Sequence, residues 1–187
     1  MPPKVKISKE DIIRAAVGLA STGGAQAIGA RNIAAALNCS TQPIFSNFAT
    51  IEELKVAVLQ EAEAMCAEYI KREVASERYP VYKASGMAYI RFAKEQKELF
   101  KLLYMRDRTG ESTPSEDALF DDMRALVQSN TGLDRTDAQL FHLEIWAYVH
   151  GIAVMFATGF LDLDWELVSK MLTDAYQGLR KQYGMEN

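Results

Sequence analysis

Cysteine is nearly absent from this chain of 187 residues: Cys39 and Cys66 stand alone, without CxxC spacing. Two residues so placed build neither a disulfide framework nor a cysteine-based metal site, and a reducing cytoplasm is the expected location. Cys39 reads as a small buried residue. Histidine is equally scarce. His142 and His150 lie eight apart on one helix face with Trp146 between them, and no third ligand keeps metal spacing with them. No metal is expected, and His150 reads as a buried, hydrogen-bonded imidazole or a polar group in a pocket. There is no Ser/His/Asp grouping, Gly-rich phosphate loop or paired-carboxylate motif, so neither catalysis nor a cofactor is expected. No apolar run approaches the roughly 18 residues of a membrane span. The longest, Gly151–Ala157, is short and flanked by polar residues, and the opening MPPKVKISKED lacks the apolar stretch of a signal peptide. A general excess of positive charge is missing too. The formal charge is −4, which excludes a protein that coats nucleic acid indiscriminately.

What is present is a core-forming, helical chain. With 49% apolar and 25% charged residues it can bury a real core. Nearly every segment has helical period and none alternates as a strand does. Ser8 and Asp11 resemble a capping box for a first helix with Ile12, Ala16, Leu19 and Ala20 on one face, stopped by Gly23-Gly24. Gly29 opens a second helix, and Ser40 caps a third with Pro43 in its first turn. Thr50 and Glu53 cap a long fourth helix to about Ser76, striped by Leu54, Val58, Met65 and Tyr69. After Pro80, helices are expected over Val81–Glu95, Lys97–Met105, Glu116–Asn130 (ended by Gly132) and Asp137–Gly159, with a ninth capped by Asp164 and carrying Leu167, Met171, Leu172, Tyr176 and Leu179. Arg106–Ser115 is the most loop-like stretch. The fold class is therefore all-α, with about nine helices.

The stretch Gly29–Phe48 carries the chemistry. Two helices of about seven residues, joined by a three- or four-residue turn at Asn38-Cys39-Ser40, follow the helix-turn-helix plan. The second is sized for the major groove of DNA. Thr41, Gln42, Ser46 and Asn47 are its polar side chains free to reach base edges, while Phe45 is suited to a thymine methyl or a sugar. Ile44 and Phe48 are placed to hold it on the core. Charge is uneven in the same sense. Residues 1–48 carry Lys4, Lys6, Lys9, Arg14 and Arg31 against Glu10 and Asp11, a net +3, which leaves −7 for the remainder. A basic head on an acidic body suits phosphate contact at one end.

Residues 8–60 resemble the TetR family of one-component repressors. Arg31-Asn32-Ile33-Ala34 is similar to the family's R-D-I-A element, and Phe48 with Glu52-Glu53-Leu54 to its F-x-x-K-E-E-L segment. In the second half, Trp146-Ala147-Tyr148-Val149-His150-Gly151, Arg91-Phe92-Ala93 and Glu98-Leu99-Phe100 resemble one C-terminal subgroup with a W-x-x-x-H-G element. The chain departs from the family's usual residues at Gly29 (Thr), Thr41 (Lys), Phe45 (Tyr) and Ile51 (Lys), all phosphate-contacting groups. Each lost ionic contact flattens the salt dependence of binding by about one unit of slope. Affinity is then expected to rest on Arg31, Lys55 and the Lys4, Lys6 and Lys9 arm.

The resemblance implies a helix-turn-helix head over 1–50 and a ligand-binding and dimerisation bundle over 51–187. It implies a regulator, a repressor by this reading, that binds a palindromic double-stranded operator as a homodimer. An inducer cavity at the centre of the bundle would be lined by Met87, Phe92, Phe100, Tyr104, Phe120, Met123, Trp146 and His150, and would take a small hydrophobic ligand. The helix near 137–160 is apolar almost all round. Part of it is expected to meet a second subunit together with the helix near 164–184. The alternative is a helical ligand-binding or adaptor protein whose head has weakened or lost its hold on DNA.

Overall fold

The structure, a computed structural model, describes residues 7–109 and 118–185, the side chains of 118–120 excepted. The described residues form nine α-helices and one 3-10 turn, with no strand. Contacts divide the chain into two compact units, residues 1–67 with 96–106 and residues 68–95 with 107–187.

The first unit begins with α1 (Lys9–Gly23). Its N-terminus closes by the full capping box: Ser8 Oγ accepts from Asp11 N at 3.1 Å and the Asp11 carboxylate accepts from Ser8 N at 3.1 Å. These bonds favour the charged acid, holding the Asp11 carboxyl below its ordinary value. Ile12, Ala16 and Ala20 are buried, and the helix stops where Gly24 takes φ 67°. A 3-10 turn (Ala25–Ala27) leads to α2 (Ala30–Ala36) and α3 (Gln42–Asn47). The long α4 (Ile51–Ala75) follows, its first turn fixed by Glu53 N donating to Thr50 Oγ1 at 3.1 Å. The return arm is offset from the expected box, because the Glu53 carboxylate accepts from Ala49 N at 2.8 Å. The buried stripe of α4 is Leu54, Val58, Ala62 and Cys66; Met65 and Tyr69 are only half-buried. Helix α6 (Lys97–Tyr104) completes this unit through Leu99, Phe100 and Leu103 and packs on α1.

The second unit is built on α5 (Val81–Glu95) lying along α8 (Arg135–Thr158), the most extensive helix contact in the chain. Helix α7 (Ala118–Thr131) covers α8, and α9 (Trp165–Gln182) packs on both α5 and α8. The ends are chemically marked. Asp134 Oδ1 accepts from Asp137 N at 2.9 Å, and Asp164 Oδ1 from Glu166 N at 2.7 Å and Leu167 N at 3.2 Å. Gly159, at φ 71°, ends α8. Averaged over 18 residues α8 is apolar enough to cross a membrane, although His142, Glu144 and His150 interrupt every long run. Its buried face, from Ala138 through Phe141, Ile145 and Ile152 to Ala157, is the core of this unit.

Candidate nucleic-acid interface and helical body

The helix-turn-helix is closed by one left-handed residue. Asn38 has φ 50°, Asn38 N donates to Ala35 O at 3.1 Å, and Cys39 N donates to Ala34 O at 2.9 Å. These are the two bonds of a Schellman motif, with asparagine where glycine is usual. The turn thus depends on Asn38, whose short amide side chain tolerates the left-handed region better than any branched residue. The expected cap of α3 is corrected. Thr41, not Ser40, is the N-cap, and it acts through its backbone carbonyl, which accepts from Ile44 N at 3.1 Å and Phe45 N at 3.3 Å. No side-chain cap is made, so the preference of hydroxyl residues for that position has nothing to act on. Cys39 is half-buried rather than buried.

Ile33, Ala34, Ile44 and Phe48 are buried and seat α2 and α3 on their unit. The opposite face of α3 is open: Gln42, Phe45 and Ser46 are exposed, Thr41 and Asn47 partly so. Phe45 keeps 52% of its surface in solvent. Ser46 Oγ donates to Gln42 O at 2.9 Å, and Asn47 Nδ2 donates to Pro43 O at 2.8 Å. Both side chains are therefore folded back on their own helix in this structure. Gln42 sits at the start of the face, alongside Phe45.

The cations around this face are differently placed. Arg31 is exposed, with no carboxylate within 4.0 Å among the described residues. Lys9 lies 3.9 Å from Glu53 and 4.7 Å from the centre of the Phe48 ring. Lys55 lies 3.5 Å from Glu52. Lys4 and Lys6 lie outside the described residues. Glu52 and Glu53 occupy the first turn of α4, where they suit the helix dipole but repel phosphate. Sequence alone does not reveal this pairing, since the Lys9–Glu53 contact joins two helices far apart in the chain.

The residues proposed for a ligand are distributed over both units. Phe100 is fully buried in the first, its ring 5.0 Å from that of Tyr104, whose hydroxyl donates to Cys66 Sγ at 3.8 Å. Burial pushes the Cys66 thiol up to about 11, so it is inert at neutral pH. In the second unit Met87 and Phe92 are fully buried, while Met123, Trp146 and His150 are half-buried. The Phe120 side chain lies outside the described residues. Trp146 stacks on His150 at 5.0 Å and 15°, and His150 Nδ1 is 2.9 Å from the Tyr89 hydroxyl. A second pair repeats this between the same helices, with His142 Nδ1 2.8 Å from the Tyr82 hydroxyl. Burial, assisted by the positive charge of Arg124, pushes the His142 imidazole down to about 4. Burial also lowers His150 and raises the Tyr82 hydroxyl, so these groups are neutral at neutral pH. Two aromatic polar pairs, seven residues apart on α5 and eight on α8, thus fix the register of the two helices. Among the described residues no three His, Cys, Asp or Glu side chains gather as metal ligands do.

Residues 82–175 match the family model described as the tetracyclin repressor-like C-terminal domain. Three solved structures share the fold. A TetR-like transcriptional regulator from Rhodococcus sp. RHA1 is 19% identical with TM-score 0.69, over 96% of this chain and 98% of that one. A TetR-family member from Streptomyces coelicolor A3 is 20% identical with TM-score 0.62, over 89% and 96%. The multidrug binding protein EbrR, in complex with imidazole, is 19% identical with TM-score 0.56, over 89% and 93%. No curated protein sequence matches the chain.

Proposed function

The chain belongs to the TetR family of tetracyclin repressor-like transcription regulators, and from that premise we propose that it is a ligand-responsive repressor acting as a homodimer on a palindromic operator. The observation that carries the DNA reading is the open face of α3 on a Schellman-closed turn, bearing Gln42, Phe45 and Ser46 while Ile44 and Phe48 are buried behind it. Gln42 and Asn47 suit the N6/N7 edge of adenine and Phe45 a thymine methyl; Thr41 and Ser46 serve either. Ser46 and Asn47 must first release their backbone carbonyls. Arg31 supplies a phosphate contact directly, whereas Lys9 and Lys55 exchange a carboxylate for a phosphate; Lys4 and Lys6, close by in sequence, are proposed to add further contacts. Residues 1–50 are thus assigned to DNA and 51–187 to ligand binding and dimerisation.

The second subunit is proposed to dock on α8 and α9. Leu140, Leu143 and Tyr148 of α8 and Leu167 of α9 are exposed. Gly151 and Gly178 lie within these helices although a Cβ at either would meet nothing within 4 Å. Mid-helix glycine is costly to its own helix, so two of them facing open space favour close approach of another copy. A small hydrophobic ligand is proposed to meet Trp146, His150 and Met123, with the Tyr89 hydroxyl as polar partner. The helix α4 runs unbroken from Ile51 to Ala75 through both units and is the candidate lever. A ligand shifts such an equilibrium only by its differential affinity, about 1–3 kcal/mol of coupling.

Footprinting with purified protein at low salt tests the reading. Protection of a palindrome near its own gene is expected; its absence refutes operator binding. The pairing of Lys9 and Lys55 with Glu53 and Glu52 favours one other reading, a TetR-fold ligand binder whose head no longer grips DNA. Ligand binding without salt-dependent operator binding is its signature.

A further inference from the structure

On the second unit the turn after α4, helix α5 and the first half of α9 enclose an open groove of about 550 Å³. That is within the roughly 300–1,000 Å³ range of small-molecule sites. Its character is set by Lys83. The Lys83 residue is half-buried, while its ammonium, still open to solvent, donates to Thr173 Oγ1 at 2.8 Å and sits 4.8 Å from the centre of the Tyr79 ring. The other half-buried lysines among the described residues each have a carboxylate: Lys55 has Glu52, Lys94 has Asp162 and Lys101 has Glu98. Among the described residues Lys83 has none within 4.0 Å, and neither does Arg78 on the same groove. Of the two acids in the lining, Asp174 is engaged by Lys170 one turn away, and Glu166 is exposed.

An ammonium whose partners are a hydroxyl and a ring has given up part of its hydration without gaining a counter-charge. Burial accordingly lowers the Lys83 ammonium below its ordinary value. An anion placed against it restores that balance, and two of its three N–H donors remain for the purpose. The wall beside it is aromatic. Trp165 is stacked on Phe156 at 5.7 Å and 19° and held by Arg91 at 4.7 Å, so its ring is fixed before any ligand arrives. We propose that this groove is a binding site for a small organic anion, an aromatic carboxylate whose charge meets Lys83 and Arg78 and whose flat body lies against Tyr79 and Trp165. The site is separate from Trp146 and His150 and does not depend on DNA binding.

Titration calorimetry on the full chain, with 2-naphthoate as probe and 2-naphthalenemethanol as its neutral counterpart, tests this. Saturable binding of the carboxylate is expected, with the alcohol weaker by about tenfold, the worth of one charge-assisted hydrogen bond. Lys83→Gln should weaken the carboxylate by a similar factor and leave the alcohol unchanged. Arg78→Gln, an exposed change that removes no core contact, should weaken it by about threefold, as expected of a more solvated charge. If Lys83→Gln fails to melt cooperatively, the Arg78→Gln result decides alone. No saturable heat with naphthoate, equal affinity for acid and alcohol, or an affinity untouched by the substitutions overturns the assignment.

Discussion

Replacing Asn38 by valine and, separately, by glycine isolates the residue on which the helix-turn-helix depends. At φ 50° a β-branched side chain clashes with its own carbonyl, at a cost of about 1–2 kcal/mol. Glycine relieves that strain but adds about 0.5–1 kcal/mol of unfolded-state entropy, so the two effects nearly cancel relative to asparagine. Both variants leave the buried Ile33, Ala34 and Ile44 intact, and Asn38 itself is exposed, so the difference between them reports the turn alone. The consequence is local. Helices α2 and α3 have seven and six residues, too short to persist without the turn that pins them together. Amide hydrogen exchange over residues 30–47 is the direct assay, because it reads local opening free energy. Valine should accelerate exchange of these amides by about tenfold, corresponding to about 1.4 kcal/mol, and glycine should leave it near wild type. Operator affinity should follow the same order. Equal protection in the valine and glycine chains would falsify the left-handed turn and the dependence of the motif upon it.

His142 gives a pH dependence of defined sign. Its folded value near 4 lies below the ordinary 6.5, so the unfolded chain takes up the proton first. The stability it contributes is complete above about pH 6.5 and is lost as pH falls towards 4. Thermal melts should show that decline in wild type and a clearly smaller one in His142→Gln, and an identical decline in both assigns it elsewhere. Glu52→Gln frees Lys55 from its carboxylate and should raise operator affinity by about two- to threefold while steepening the salt dependence, as gel-shift titrations at two salt concentrations would register. An unchanged slope means that Lys55 makes no phosphate contact. Gly178→Ala would meet nothing within 4 Å beyond its own helix backbone and should stabilise the isolated helix by about 1 kcal/mol. Gly178→Leu should nonetheless drive the protein to monomer in sedimentation equilibrium; a leucine variant as dimeric as wild type removes α9 from the interface.

Much of this fold is legible in sequence because its helix ends are written in local chemistry. Ser8 with Asp11, Asp164, Gly159 and the Gly23-Gly24 pair each act within a turn of themselves, so residue type suffices. The start of α3 is not legible by that rule, since Thr41 caps with a carbonyl that every residue possesses. The stripe of α4 is misjudged for a different reason. Hydrophobicity favours Met65 and Tyr69, yet Ala62 and Cys66 are the residues buried, a matter of size and position that composition does not encode. The open face of α3 is visible in sequence. The bonds that fold Ser46 and Asn47 back and the i,i+3 pairing of Lys55 with Glu52 depend on rotamers, and the carboxylate beside Lys9 comes from another helix. The groove around Lys83 is invisible for the same reason, because Thr173 approaches it from ninety residues away.

These features bear jointly on how such a head can bind an operator at all. One head offers Arg31 without a competing carboxylate among the described residues, two lysines already paired, and a recognition helix without the usual lysine and tyrosine at Thr41 and Phe45. Phosphate contacts supply most of the non-specific affinity for DNA, so a single head of this kind is a weak ligand. Joining two heads converts the second contact into an intramolecular event at an effective concentration in the millimolar range, which multiplies affinity without any added contact. The fewer the phosphate anchors in each head, the greater the share of operator binding that rests on the dimer. The exposed leucines and open glycines of α8 and α9 are therefore as much determinants of DNA affinity, on this reading, as the side chains of α3. A ligand that alters the spacing of the heads would act on that same linked term, where a small difference in effective concentration separates a bound operator from a free one.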